Sequence, residues 1–388
     1  MQEVDGSNPS VFTNFFIEGF FVMKIIVGAD LVPTNLTEQF FIDGDTEKIL
    51  GDFLPMIKAA DRFIVNLECA LTESENAIRK HGPNLKASPA CADTLVKLGV
   101  TDVMLSNNHT FDFGIEGLRD TMANLERVGL PYTGVGENDT DSRKIYYFEQ
   151  SGKKFGIVNV CEHEYSYALP DRLGTNPYDP YLTMHDIREA KKNADIVIVF
   201  YHGGKEYCRY PSPRLRLLCH EMVECGADAV ITQHSHCIGC YEQWENGQIL
   251  YGQGNLHFVK ENKTQEGWYT SLLLELDIDD AGKITFNYYP MVMNVEEASV
   301  KLATGDAAKE IMDGFYARNE ELKNGKWEQG WAAFCESVPR YLNMPKTVYK
   351  PDSTEKQNEV FAHYIDCEAH EDVLRYYFKT WNHTNEKN

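Results

Sequence analysis

Several common protein classes are excluded by what this chain has little of. Basic residues are scarce, with 37 Lys and Arg against 59 Asp and Glu and a formal net charge of −22 over 388 residues. A phosphate-backbone binder needs a surface of the opposite sign, so no nucleic-acid role is expected. Long apolar runs are missing too. The aromatic-rich stretch 11–27 is interrupted by Asn14, Glu18 and Lys24 and has neither a basic start nor a small-residue cleavage site, so no signal peptide and no membrane span are expected. With 28 Gly and 15 Pro and no repeat, collagen-like and low-complexity classes drop out. A Walker-type loop, a Gly-x-Ser-x-Gly elbow and a dinucleotide fingerprint are all absent, which argues against nucleotide-driven phosphoryl transfer, serine hydrolysis and hydride transfer. Ten cysteines are scattered from Cys69 to Cys367 in a chain large enough to need no staples. They read as buried thiols in a reducing compartment, and the expected location is cytoplasmic.

A hydrophobic content of 43% at this length supports a large core. Over roughly the first 290 residues, short β-branched runs alternate with helical-period stretches, the pattern of an α/β layered domain. The runs 24–28, 63–67, 102–105, 155–160, 196–201, 229–232 and 248–251 read as strands, most of them buried on both faces. Ser88-Pro89 reads as the cap and first residue of a helix with Ala92, Leu95 and Val96 on its apolar face. Ile115, Leu118, Met122 and Leu125 mark a second helix, and Leu215, Leu218, Cys219, Met222 and Val223 a third. Residues 270–278 and 283–289 flank Asp279-Asp280-Ala281-Gly282 as a hairpin that closes the sheet. Beyond Glu296 the faces Ala308, Ile311, Phe315, Leu322 and Val373, Leu374, Tyr377, Phe378, Trp381 read as helices. The expected organisation is therefore an arm or over-called start over residues 1–22, a domain over 23–295, and a helical appendage over 296–388 that holds no ligand.

Five segments place metal-capable side chains just after a strand, where loops at the carboxyl edge of a sheet build sites. They are Asp30; Asn66-Leu67-Glu68; Asn107-Asn108-His109 with Asp112; His202; and Gln233-His234-Ser235-His236. In an extended segment, His234 and His236 project to the same side, towards one ion or two neighbouring ones. A mixed imidazole and oxygen set suits Mn, Fe or Zn better than Mg or Ca. Asn108 can coordinate while His109, with a pKa near neutrality, serves as general acid; the same dipeptide also reads as a helix cap. His234, His236, Cys237 and Cys240 form an alternative structural zinc set. Lys86, Arg143, Lys205, Arg209 and Arg214 are the cations near these loops, and Lys86, just before a helix start, is singled out for an anionic substrate.

The ordered motifs Gly28-Ala29-Asp30, Asn66-Leu67-Glu68, Ser106-Asn107-Asn108-His109 with Asp112-Phe113-Gly114, His202-Gly203-Gly204-Lys205-Glu206-Tyr207, His234-Ser235-His236 and Tyr251-Gly252-Gln253-Gly254-Asn255 resemble the bacterial capsule synthesis protein family, CapA, over about residues 24–258. That family is also called the poly-gamma-glutamate capsule family. The resemblance implies a layered αββα sandwich of the metallophosphoesterase type with one or two divalent ions. It implies Asp30, Glu68, Asn108, His202, His234 and His236 as the metal set, His109 with Asp112 as the catalytic pair, and Glu206 and Tyr207 beside the site. It departs from the phosphoesterase pattern at Val32, where that pattern has a His, at Glu68, where it has an Asp, and at Gln233, where it has a Gly. Two functions are compatible with it. One is a phosphoesterase in which a metal-held hydroxide attacks phosphorus in an anionic small-molecule or polymer substrate; the other is an accessory protein in capsule or poly-gamma-glutamate production with little catalysis.

Overall fold

A computed structural model describes residues 23–265 and 267–385, with side chains up to Phe378. The arm expected over 1–22 and the side chain of Trp381 lie outside the described residues. Strands β1 (Met23–Leu31), β2 (Arg62–Leu67), β3 (Asp102–Met104) and β4 (Tyr132–Thr133) belong to a first sheet. A second sheet is built from β5 (Tyr146–Gln150), β6 (Lys153–Cys161), β7 (Ile196–His202), β8 (Ala229–Gln233), β9 (Ile238–Trp244) and β10 (Gly247–Gln253). The chain then returns to the first sheet through β11 (Asn255–His257), β12 (Thr270–Ile278), β13 (Ile284–Asn294) and β14 (Ser299–Leu302). The first sheet runs β14-β13-β12-β1-β2-β3-β4, with β11 also paired to β1, and the second runs β9-β10-β8-β7-β6-β5.

All seven runs read as strands are strands, and residue parity along them shows why. In β1, Ile25 and Val27 face the second sheet, where they meet Ile157, Ile198, Phe200 and Leu250. Ile26, one residue out of phase, packs with Phe41, Ile49 and Leu95 on the outer side. In the second sheet, Val197 and Val199 turn outward against Ile187, Met222, Trp327 and Tyr364. Each sheet is thus apolar on both faces and the layers stack αββα, as expected. Gly254 makes the crossing from β10 to β11 possible. Its φ is +85°, and a Cβ there would lie 2.7 Å from the Ser271 Cβ and 2.9 Å from the Thr270 carbonyl oxygen.

The helices that matter for the site are α1 (Cys91–Lys97), α2 (Gly114–Arg127), α3 (Leu182–Asn193), α4 (Pro213–Glu224), α5 (Gly305–Lys323), α6 (Trp327–Ser337), α7 (Glu355–Asp366) and α8 (Glu368–Asn385). Ser212 caps α4 by accepting the Leu215 N–H at 3.0 Å. Several expectations are corrected. Helix α1 begins at Cys91, with Ala90 rather than Ser88 at the cap position, because Ser88 and Pro89 are spent in the preceding turn. Val96, Ile115 and Phe378, read as core, are exposed. The hairpin does not end the sheet: β14 pairs with β13 beyond it, at residues assigned to the helical segment. Nor is that segment a loose appendage, since Leu322, Trp331, Tyr364 and Val373 share one buried cluster with β6, β7 and β8. No helix among the described residues is long and apolar enough to cross a membrane.

Candidate metal centre

Parallel strands deliver the proposed ligands to one edge where the two sheets meet. Asp30 lies near the end of β1, Glu68 just beyond β2, Asn108 in the loop after β3, and His202 at the last position of β7. His234 and His236 follow β8, but not in the extended form expected. Both have positive φ, 91° and 53°, so this is a turn that sends the imidazoles different ways. Backbone in this region costs about 1–3 kcal/mol per non-glycine residue and is held only where surrounding contacts demand it.

The turn serves two clusters that share Glu68. In one, the His202 Nε2 lies 3.0 Å from the Asn108 Oδ1, 3.2 Å from the His234 Nδ1 and 3.4 Å from the Glu68 Oε1. A single ring proton cannot satisfy three such neighbours, so lone pairs point at a common centre. In the other, the His236 Nδ1 lies 3.4 Å from the Asp30 Oδ2 and 2.8 Å from the Asn255 Oδ1. Glu68, His202 and His234 bring one ligand atom each within 4.8 Å of one another, as do Asp30, Glu68 and His236. Neither Glu68 oxygen has a hydrogen-bond partner, although the side chain is fully buried. A buried carboxylate left in that state is costly unless a cation completes it, so the residues present fit one or two divalent ions.

Electrostatics support the same grouping. Burial, with Asp30 adding repulsion, pushes the Glu68 carboxyl well above the usual carboxylate range. Burial opposes ionisation of Asp30 too, but His236 and His202 outweigh it and hold Asp30 low. Burial takes the imidazoles of His202 and His234 down to about 4, leaving them neutral as ligands must be. His236 goes the other way, to about 9, because Glu68 and Asp30 outweigh its burial.

Beside this centre, the His109 Nδ1 meets the Asp112 Oδ2 at 2.7 Å. The helix-cap alternative for Asn108 and His109 fails, since α2 starts at Gly114 after Phe113. The near-neutral pKa expected for His109 is also corrected: burial and the neighbouring Lys80 lower it to about 4. Lys80 was not singled out in the sequence. Its ammonium, buried, contacts the Asp112 Oδ1 and lies 3.2 Å from the His109 Nδ1, and nothing in the sequence near residue 80 signals a site.

Lys86, by contrast, is turned away. It donates to the Ser74 carbonyl at 2.8 Å and pairs with Glu75 at 2.6 Å. Arg143 is paired with Asp186, and Arg214 with Glu162 and Asp372. Lys205 is buried in the loop that also carries Glu206 and Tyr207, and among the described residues no carboxylate lies within ion-pair distance of it. Glu206 reaches 3.9 Å from the His236 Nε2, and the Tyr207 ring centroid is 6.1 Å from that of His236, so both lie beside the cluster. The structural zinc alternative is not assembled, for the groups of three or more metal-capable side chains among the described residues contain no cysteine. All ten cysteines are buried and none is in a disulfide.

Several contributors were missed or ruled out by sequence reasoning. Asn66 donates to the Asp30 Oδ1 at 2.8 Å and fixes that carboxylate. Glu164 meets the His234 Nε2 at 3.4 Å and, through its other oxygen, the His363 Nε2 of α7 at 3.3 Å. The C-terminal helices therefore do reach the site. A periodicity argument assigns His363 to a helix but cannot bring that helix beside residue 164.

A two-sheet αββα sandwich with paired metal-capable clusters on a shared carboxylate defines the class. Consistent with it, residues 24–260 match the family model described as bacterial capsule synthesis protein PGA_cap, and the chain belongs to that family. It is 29% identical over 271 residues to the capsule biosynthesis protein CapA of Bacillus anthracis, covering 67% of this chain and 64% of that protein. It therefore spans just under two thirds of that relative's length. Identity to the PGA biosynthesis protein CapA of Bacillus subtilis (strain 168) is 28% over 289 residues, covering 72% of this chain and 74% of that protein. Among solved structures, a dimetal phosphatase from Danio rerio aligns at a TM-score of 0.31 and 10% identity over 58% of this chain and 96% of that one, too remote to carry an argument.

Proposed function

We propose that the chain is a metal-dependent phosphoesterase acting on an anionic substrate in capsule or poly-gamma-glutamate metabolism. The observation that carries this reading is Glu68, a fully buried carboxylate with neither oxygen hydrogen-bonded, placed between a His202/His234 cluster and an Asp30/His236 cluster. Asp30, Glu68 and His236 would hold one divalent ion, and Glu68, Asn108, His202 and His234 a second, of the Mn, Fe or Zn type. Bound there, such ions supply Lewis-acid charge and lower the pKa of water.

The protein's own groups do the rest. Asp112 engages the His109 Nδ1, which leaves Nε2 for the leaving-group oxygen. Burial and Lys80 keep the resting ring neutral. An arriving anion adds the negative charge that favours the imidazolium, so His109 gains its proton along with the substrate and passes it from Nε2. Lys205, buried and without a carboxylate partner among the described residues, adds a positive charge for the same anion.

A second reading is favoured by Val32, which stands where a phosphoesterase has a histidine and is packed into the outer core of the first sheet. With that ligand gone, the protein would serve as an accessory factor, the role suggested by relatives named for capsule and PGA biosynthesis. The test is metal analysis of full-length protein purified without chelators, followed by phosphomonoester and phosphodiester assays with added Mn. Bound metal with metal-dependent turnover supports the enzyme. Bound metal without turnover on either substrate class supports the accessory role.

A further inference from the structure

Three side chains outside the centre just described meet where the C-terminal helices cover it. Glu164 comes from the loop after β6, His363 from α7 and His370 from α8, and one ligand atom from each lies within 4.8 Å of the other two. Both imidazoles are buried. The Glu164 Oε1 and the His363 Nε2 are 3.3 Å apart, close to the 3.4 Å between the Glu68 Oε1 and the His202 Nε2 in the central cluster. We propose that Glu164, His363 and His370 form a further divalent-cation site, selective for a borderline ion such as zinc, on the outer side of the central clusters.

The surroundings fit such a site. The His370 Nδ1 is engaged by the Tyr341 hydroxyl, which leaves Nε2 as the ligand atom; a metal-bound imidazole usually has its other nitrogen held in this way. The ring of His363 stacks on Tyr165 with centroids 4.6 Å apart, and the ring of His370 stacks on Tyr364 at 4.8 Å. Both are therefore pre-positioned. Two histidines and a carboxylate leave room for water or substrate in a four-coordinate ion. The way in is a cavity of about 650 Å³ lined by Lys80, His81, Tyr165 and His363.

The loop is clamped to the helices that supply the histidines. The His163 Nδ1 meets Glu368 at 2.7 Å, and the Tyr167 hydroxyl donates to Asp366 at 3.0 Å. Glu164 also faces the His234 Nε2 with its second oxygen at 3.4 Å. Carboxylates and histidines thus alternate in one line, from Asp30 and His236 through Glu68 to His202 and His234, then through Glu164 to His363 and His370. The proposal rests on the central metal reading only through this shared Glu164–His234 contact. The competing occupant is an anion held by Lys205, whose charge acts on His370.

The experiment strips full-length protein with a chelator, titrates it with Co²⁺, and counts bound ions by elemental analysis and the visible absorption of the cobalt centre. H363Q and H370Q should each bind one ion fewer per chain than wild type and lose one component of the spectrum. E68Q should lose the central ion or ions and retain that component. Circular dichroism and retention of the central ions show that the histidine variants are folded, and E164Q provides a third variant that should lose the same ion. Wild-type stoichiometry in H363Q and H370Q overturns the proposal while leaving the central reading intact. The same stoichiometry with at least tenfold weaker binding of inorganic phosphate overturns it in favour of the anion on Lys205. Wild-type protein that binds no cobalt overturns both metal readings.

Discussion

Replacing Glu68 with glutamine preserves its shape and removes its charge, and the consequence should change sign with metal. In chelator, the wild-type carboxylate is fully buried, lacks a hydrogen bond on either oxygen, and is repelled by Asp30. A carboxyl whose ionisation the folded state opposes costs stability at neutral pH, where the unfolded chain carries it ionised, and the neutral amide avoids that cost, so E68Q should be more stable than wild type by about 1–3 kcal/mol. For a chain of this size, about 2 °C per kcal/mol places the melting temperature of E68Q about 2–6 °C higher. With Mn²⁺ at a hundred times its dissociation constant, each bound ion stabilises wild type by about 2.7 kcal/mol. E68Q, missing the shared ligand, should gain little, and the order of stabilities should reverse. Differential scanning calorimetry in chelator and in Mn²⁺ measures both. If E68Q melts below wild type in chelator, or if metal raises both proteins equally, the assignment of Glu68 as a shared ligand is refuted.

Other expectations concern the neighbouring groups. H109N should lower kcat about 10²- to 10⁴-fold while metal content stays at the wild-type level; unchanged turnover would remove His109 from the chemistry. Lys80→Met leaves Asp112 buried without its ammonium and should cost about 3–5 kcal/mol, whereas Lys86→Ala, at a partly exposed pair with Glu75, should stay within about 0.5 kcal/mol in urea unfolding. Glu242 tests electrostatics away from the site. Burial would raise its pKa, but His220, Arg216 and Tyr251 hold it at about 2 against an ordinary value of 4.5. A depressed carboxylate stabilises the fold above its unfolded pKa and loses that contribution as pH falls through the folded one. The full shift corresponds to about 3.4 kcal/mol, and solvent screening reduces the expected figure to about 1–2 kcal/mol. E242Q should be destabilised by that amount at pH 7, and the difference from wild type should vanish towards pH 2. A difference independent of pH would mean that packing, not charge, is responsible.

Most of the sheet architecture was legible because buried strands must be apolar on both faces and their ends must turn. Ile25, Ile26 and Val27 each face a different layer from their neighbour, and such a run is recognisable without knowing what lies opposite. Five of the site segments were legible for a related reason: polar residues directly after such runs stand at a strand end by chain geometry alone. Short or half-exposed elements were not legible. β14 is four residues long and sits at an edge, so it has little hydrophobic signal to set against the helix formers around it.

What the sequence determined by itself was the chemistry on offer: the carboxylates, amides and imidazoles at strand ends, and with them the family. Tertiary structure decided which of these groups meet. Left-handed backbone at His234 and His236 sends their rings to different clusters, an outcome that residue spacing alone assigns to a single side. The buried cation beside His109 is Lys80 rather than Lys86 because the path of the 74–86 segment pairs Lys86 with Glu75 and turns Lys80 inward. His363 and His370 come beside Glu164, about two hundred residues earlier in the chain, because α7 and α8 bury an apolar face on the second sheet. Periodicity can predict that face but not the surface it will cover, since hydrophobic burial is non-directional.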